Sequence, residues 1–181
     1  IREAAFVPDV TSIKITCYRL AQNSKIINAL INAVRNGKEV VVMLELRARF
    51  EEEANIEWKN RLEEEGAKVL VEIPNMKVHS KICVIRKKTK DNNSMLYGFV
   101  STGNLNEKTA RLYGDHCLLT SNQKIMSDVN RMFNYLEQPK SGMNFLRNCK
   151  YLIPSPSIIQ KEMLRLIDEQ IKQTRKKKPA A

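Results

Sequence analysis

Two histidines, His79 and His116, occur in the 181 residues, and the first lies in a run whose neighbours suit one kind of chemistry. In Lys77-Val78-His79-Ser80-Lys81 a lysine stands two positions to either side of His79. Strand side chains alternate, so Lys77, His79 and Lys81 would share one direction and Val78 and Ser80 the other. Adjacent positive charge lowers an imidazole pKa and keeps the ring uncharged and nucleophilic, while ammonium groups neutralise phosphate oxygens during attack. The expectation is that His79 is the nucleophile of a phosphoryl-transfer site for a polyanionic substrate, with Lys81 and Lys77 stabilising charge. The H-x-K run alone fits a partly exposed histidine on an edge strand equally well.

Ser101-Thr102-Gly103-Asn104-Leu105-Asn106 follows an apolar stretch. It offers a glycine-permitted turn, free backbone N–H groups, and hydroxyl and amide donors suited to cradling phosphate, with Gly103, Asn104 and Asn106 as candidates. An ordinary turn between strands has the same composition. Arg19, Arg47 and Arg49 sit where strands should end, on the rim where α/β sheets bind ligands and where guanidinium forks take phosphate oxygens in pairs. For any single arginine, an ion pair with the abundant glutamates is the alternative. His116, after Asp115, reads as a structural histidine.

These groups need a scaffold, and length and composition suit one. Hydrophobic residues make up 43% and charged residues 28%, proportions of a globular chain able to bury a sizeable core. No apolar run reaches the roughly 20 residues of a membrane helix. The chain opens on Ile1, an opening that is no signal peptide and that suits a piece of something longer. Cys17, Cys83, Cys117 and Cys149 are far apart, without the close pairs of a zinc site, and the first three sit in apolar stretches, which reads as buried thiols in a reducing compartment. The formal charge of +11 calls for an anionic partner, although five basic residues between Lys172 and Lys178 contribute to it.

Periodicity supplies the elements. Ser12–Tyr18 alternates as a strand, with Ile13, Ile15 and Cys17 on one face. Asn23 or Ser24 caps a helix carrying Ile26, Ile27, Leu30, Ile31 and Val34, which Gly37 stops. The continuous apolar run within Glu39–Leu46 reads as a strand covered on both faces and parallel to the first. A helix over Glu51–Glu65, ended by Gly66, leads to strands over Ala67–Ile73 and Val78–Ile85, separated by a turn at Pro74-Asn75. A loop from Arg86 to Ser94 connects as a hairpin into Met95–Val100. A strand at His116–Leu119 and a helix over Gln123–Leu136 complete the unit. Pro139–Asn144 is the expected boundary, followed by a strand at Tyr151-Leu152-Ile153 and an amphipathic helix over Ile158–Ile171.

The combination resembles bacterial-type polyphosphate kinase. The resemblance is carried by Ile13-Lys14-Ile15-Thr16-Cys17-Tyr18-Arg19, by Glu45-Leu46-Arg47-Ala48-Arg49-Phe50-Glu51-Glu52-Glu53-Ala54-Asn55-Ile56, by Lys77–Lys81, by Gly103-Asn104-Leu105-Asn106-Glu107-Lys108-Thr109-Ala110-Arg111-Leu112-Tyr113, and by Leu118-Leu119-Thr120. It implies an α/β fold, a phospholipase D-like mixed β-sheet flanked by helices. Residues 1–138 would form the first of two related C-terminal domains, and residues 139–181 a linker and the opening strand and helix of a truncated second. It implies ATP:polyphosphate phosphotransfer, reversible through phosphohistidine, with His79 phosphorylated, Tyr113 against the nucleotide, and Arg19 and Arg49 associated with phosphate and magnesium. A guanidinium cannot ligate a metal, so that association would run through phosphate oxygens. ATP/ADP and Mg²⁺ are the implied cofactors. Polyphosphate, the remainder of the polypeptide and further copies of the chain are the implied partners, in the cytoplasm, with peripheral membrane association compatible.

Phospholipase D-like enzymes carry an acidic residue seven positions after the histidine, where this chain has Arg86. That departure weighs against the rival reading, a phospholipase D-like nuclease or phosphodiesterase. Position 105 is Leu, where the resembled family usually has an aromatic. The family's second histidine and its nucleotide-clamping head lie outside this chain, so the chain alone is expected to be inactive. A basic nucleic-acid-binding module would explain the charge, but only 6% of residues are aromatic, too few for a stacking platform; no nucleic-acid partner is expected.

Overall fold

The computed structural model describes residues 1–46, 52–73, 76–140 and 143–179. The alternating stretch Val10–Cys17 forms strand β1 at the centre of a six-stranded sheet. Arg2–Phe6 (α1) precedes it, and Lys25–Arg35 (α2) leads to β2 (Glu39–Leu44), parallel to β1 as expected. Glu52–Glu64 (α3) then leads to β3 (Lys68–Val71), again parallel. The chain next reverses, and β4 (Lys81–Lys88), β5 (Ser94–Ser101) and β6 (Cys117–Thr120) add antiparallel on the other side of β1. The strand order is β3-β2-β1-β4-β5-β6. A short 3-10 turn, Thr109–Arg111, lies between β5 and β6. Gln123–Glu137 (α4), Met143–Arg147 (α5) and Ile159–Arg175 (α6) close the chain.

The sheet is covered on both faces because its strands alternate. Ile13, Ile15, Val40, Val42, Leu44, Cys83 and Ile85 meet α1, α2 and α3 on one side. Met43, Ile82 and Val84 meet Met126, Val129 and Phe133 of α4 on the other. Burying a side chain such as Phe133 contributes ~1.5–3 kcal/mol. Ser24 caps α2, its side chain accepting the Ile27 N–H at 3.3 Å. Gly37 and Gly66, with φ of +74° and +94°, follow α2 and α3 as the helix stops read from sequence.

Four expectations change. β4 begins at Lys81 rather than Val78, because the preceding carbonyls are taken by side chains: Lys81 Nζ donates to His79 O at 2.6 Å and Thr16 Oγ1 to Ser80 O at 2.6 Å. It also continues to Lys88, absorbing part of the expected loop, since Arg86, Lys87 and Lys88 pair with Leu96, Met95 and Ser94. Tyr151–Ile153 is not a strand: the N–H groups of Lys150, Tyr151 and Leu152 all donate to Asp128 Oδ2, at 2.8, 2.6 and 3.1 Å, which leaves no ladder to join. Cys17, Cys83 and Cys149 are buried as expected, but Cys117 is exposed on edge strand β6. The turn expected at Pro74-Asn75 and the arginines Arg47 and Arg49 lie outside the described residues.

Candidate active site

Hydrogen bonds from neighbouring elements fix the end of β1. Asn55, buried on α3, donates from Nδ2 to Tyr18 O at 3.1 Å and to Glu45 O at 2.9 Å, tying the exits of β1 and β2 together. Trp58 Nε1 donates to Ala21 O at 2.9 Å. Thr16, inside β1, accepts the Ile82 N–H at 3.0 Å and donates to Ser80 O, so the residues flanking Lys81 hang on one buried hydroxyl.

Around this anchor Tyr18, only 8% exposed, becomes a meeting point. The His79 imidazole stands edge-on to its ring, with centroids 4.7 Å apart and planes at 81°. Lys81 Nζ, Lys77 Nζ and Arg19 Cζ lie 5.0, 5.3 and 6.0 Å from the same centroid. The shared direction read from alternation therefore holds for Lys77, His79 and Lys81, although residues 77–80 are not strand. His79 is exposed, while Lys81 is 3% exposed. Burial on its inner side, then Lys81, Lys77 and Arg19, lowers the His79 pKa below its ordinary 6.5 and favours the neutral imidazole. Burial also lowers Lys81 to about 8, with Asp115 pulling upward and Arg19 downward.

The turn after β5 is built differently from the expected cradle. Thr102 N–H donates to His116 O at 3.0 Å and Gly103 N–H to Ser101 Oγ at 3.1 Å, so neither is a free donor. Gly103 lets Asp115 approach closely: a Cβ there would lie 2.6 Å from Asp115 Oδ2 and would push that side chain aside. Thr102 Oγ1 donates to Asp115 Oδ1 at 3.0 Å, which holds that carboxylate where its field reaches Lys81. Asn106 Oδ1 accepts the N–H groups of Lys108 and Thr109, at the entry to the 3-10 turn. Among the described residues, the buried side-chain polar atoms without a hydrogen-bond partner are Arg19 Nε, Asn104 Oδ1, Asn106 Nδ2 and Asn55 Oδ1. The first three belong to residues singled out from sequence, and unpaired buried polar atoms are costly unless something binds them.

Lys77, His79, Ser80 and Lys81 line a cavity of about 550 Å³. Its far wall is apolar, including Met132 and Leu136 from α4, Leu146 from α5, and Leu152 and Pro154 from the segment after it. Asp128 holds that wall, anchoring residues 150–152 and accepting from Arg131 at 2.5 Å. Asn106 instead lines a second cleft of about 770 Å³, with residues 21–23 and the start of α3. Tyr113 projects outward, 65% exposed, and no described contact joins it to the Tyr18 cluster. His116 is exposed, its backbone paired with Thr102.

The donor set does not suit a resident divalent cation. Arg19, Lys77 and Lys81 are cationic, and among the described residues no group of three or more His, Cys, Asp or Glu side chains could hold a metal. Phosphate oxygens are the natural complement of these groups. Sequence reasoning passed over four residues that build the site: Thr16, Tyr18, Asp115 and Asp128. Asp128 carried a legible signal, a carboxylate among the apolar positions of α4.

Comparison with known proteins gives one family. Residues 1–142 match the family model described as polyphosphate kinase C-terminal domain 1. The chain is 44% identical to the polyphosphate kinase of Vibrio cholerae over 181 residues, covering all of this chain and 25% of that protein. It is 44% identical to the polyphosphate kinase of Salmonella typhimurium over 171 residues, covering 94% and 24%. The crystal structure of polyphosphate kinase from Porphyromonas gingivalis superposes with a TM-score of 0.76 at 34% identity, covering 97% of this chain and 28% of that one. The phospholipase D family member Nuc from Salmonella typhimurium superposes with a TM-score of 0.55 at 16% identity, over 75% of this chain and 81% of that one, a likeness of fold. The chain spans about a quarter of the length of the curated relatives it matches.

Proposed function

Because the chain belongs to the polyphosphate kinase family, we propose that it carries the phosphate-accepting part of an ATP:polyphosphate phosphotransferase, with His79 as acceptor. The observation that carries this reading is the convergence of His79, Lys77, Lys81 and Arg19 on one buried ring. A neutral nitrogen of His79 attacks the γ-phosphorus of ATP; the N–P bond forms as the bond to the bridging oxygen breaks, and ADP departs with that electron pair. A terminal phosphate oxygen of polyphosphate then attacks phosphohistidine, the N–P bond breaks, and the chain is one phosphate longer; each step is reversible. Lys77, Lys81 and Arg19 stabilise charge on the phosphates; Arg49 and the turn residues Gly103, Asn104 and Asn106 are assigned to phosphate by family resemblance, and the turn's N–H groups already paired to Ser101 and His116 would have to open to take part. Tyr113 is assigned to the nucleotide, and magnesium arrives on the nucleotide rather than at a resident site.

The rest of the polypeptide, including a nucleotide-clamping head and a second histidine-bearing domain, completes the site. On this reading residues 139–181 lead into that domain, and the apolar residues exposed on α6, such as Met163, Leu164 and Ile167, are where it packs. Self-association and a cytoplasmic location with peripheral membrane contact belong to the same proposal; among the described residues no helix is long and apolar enough to cross a membrane.

The test is phosphopeptide mass analysis of the full-length polypeptide after incubation with ATP and Mg²⁺, under conditions that preserve acid-labile phosphate. Phosphate on His79, lost in His79→Ala, supports the proposal. An unphosphorylated His79 together with cleavage of DNA would replace it with a phosphodiesterase.

A further inference from the structure

Tyr18 is buried, and the charged and aromatic side chains of the site are gathered around its ring. We infer that Tyr18 is a positioning residue whose ring face gathers Lys77, Lys81 and Arg19 and whose edge contact sets the orientation of the His79 imidazole. The inference rests on the reading of His79 as phosphate acceptor.

Three like charges repel, and holding them together beside a histidine requires a counter-surface. A carboxylate would serve, but it would compete with phosphate for the same cations and raise the histidine pKa. An aromatic face attracts cations through its quadrupole and carries no net charge. The three cationic groups lie 5.0–6.0 Å from the Tyr18 centroid, within the range of that attraction. Asp115 acts on Lys81, but it is engaged by Thr102 and packed against Gly103.

Orientation is the second part. Residues 77–80 lie outside the β4 ladder and His79 is exposed, so neither strand pairing nor core packing fixes its ring. The edge-on contact with Tyr18, at 4.7 Å and 81°, is a preferred aromatic geometry. Tyr18 can serve as a reference because it is buried and its carbonyl is held by Asn55.

The experiment replaces Tyr18 in the full-length polypeptide with Phe, with Leu, and with phenylalanines bearing an increasing number of ring fluorines, which weaken the face while nearly keeping its shape. Two readouts are taken: the rate at which His79 is phosphorylated by ATP, and the pH midpoint for carbethoxylation of His79 by diethylpyrocarbonate, which needs no substrate. Charged or titratable groups acting on this ring are Lys77 and Lys81 from its own segment and Arg19 from the end of β1, with Asp115 acting through Lys81. Tyr18→Phe should stay within about twofold of the wild type. Tyr18→Leu should phosphorylate about tenfold more slowly, the scale of one lost cation–π contact set, and its midpoint should rise as the cations disperse. The fluorinated series should fall step by step between these limits. If Tyr18→Leu proves unfolded, the fluorinated series decides. A flat fluorinated series, an unmoved midpoint in folded Tyr18→Leu, or a Tyr18→Phe as impaired as Tyr18→Leu would overturn the inference. Failure of the wild type to accept phosphate on His79 would instead overturn the functional reading, while the carbethoxylation midpoints still judge Tyr18.

Discussion

Replacing Thr16 by Val keeps the shape of a buried β-branched residue and removes one hydroxyl, which isolates the link between the central strand and the residues around Lys81. That hydroxyl accepts the Ile82 N–H at 3.0 Å and donates to Ser80 O at 2.6 Å, from a side chain 1% exposed. Val satisfies neither partner, and each stranded buried group costs about 1–3 kcal/mol. The added methyl offsets about 0.8 kcal/mol. Because Ser80 is only half-buried and its carbonyl can reach water, the net loss should be about 2–3 kcal/mol. Opening of the segment should then be about 30- to 150-fold more frequent, read by amide hydrogen exchange of peptides spanning residues 76–88 in the full-length polypeptide. Phosphorylation of His79 should fall with it, and Thr16→Ser should restore both. Exchange within about threefold of wild type in Thr16→Val would refute the argument that this hydroxyl holds the segment.

The rate of His79 phosphorylation should show two limbs with pH. The rate should fall as pH drops through the His79 pKa, below 6.5, because only the neutral ring attacks, and fall again above about 8 as Lys81 loses its proton. Asp115→Asn removes the group that raises Lys81, so the alkaline limb should move to lower pH; a limb that stays in place would remove Asp115 from the account. Asp128→Ala should free the wall of the cavity, seen as faster proteolysis or hydrogen exchange of residues 148–156, and should cost about 3 kcal/mol as buried N–H groups and Arg131 lose their acceptor. Burial raises the Asp128 pKa, but three backbone N–H groups and Arg131 outweigh it and hold it below 3.8. Its contribution is therefore present above the ordinary carboxyl range and lost as pH falls through the lowered value; protection of residues 148–156 that is insensitive to acid would contradict this.

The parallel half of the sheet was legible because period-2 and period-3.6 patterns alternate there with capping residues and glycine stops. Ser24, Gly37, Gly66 and the run Val40–Leu44 each state their structure locally. The misreadings came where side chains rather than neighbouring strands satisfy the backbone. Val78–Ser80 has strand composition, but Thr16 and Lys81 take two of its carbonyls. Tyr151–Ile153 reads as a strand, but Asp128, more than twenty residues earlier in sequence, takes its N–H groups. In the candidate site the basic residues Arg19, Lys77 and Lys81 and the histidine between the lysines were readable because type and spacing announce them, whereas Asp115 and Asp128 were not announced in that way. Tyr18 was not, since an aromatic residue at a strand end is ordinary and its role appears only when Lys77, His79 and Lys81 fold back onto it. Gly103 was readable as a turn residue, but its close approach to the Asp115 side chain was not, since nothing local in the sequence places residue 115 against residue 103.

In the proposed function His79 relays phosphate rather than merely receiving it. The full-length polypeptide would be loaded with ATP carrying radioactive phosphorus in its γ-position, freed of nucleotide, and mixed rapidly with ADP or with polyphosphate. Label should leave His79 at least as fast as the enzyme turns over, appearing in ATP in one case and in polyphosphate in the other. Label that stays on His79, or leaves more slowly than turnover, would contradict the account.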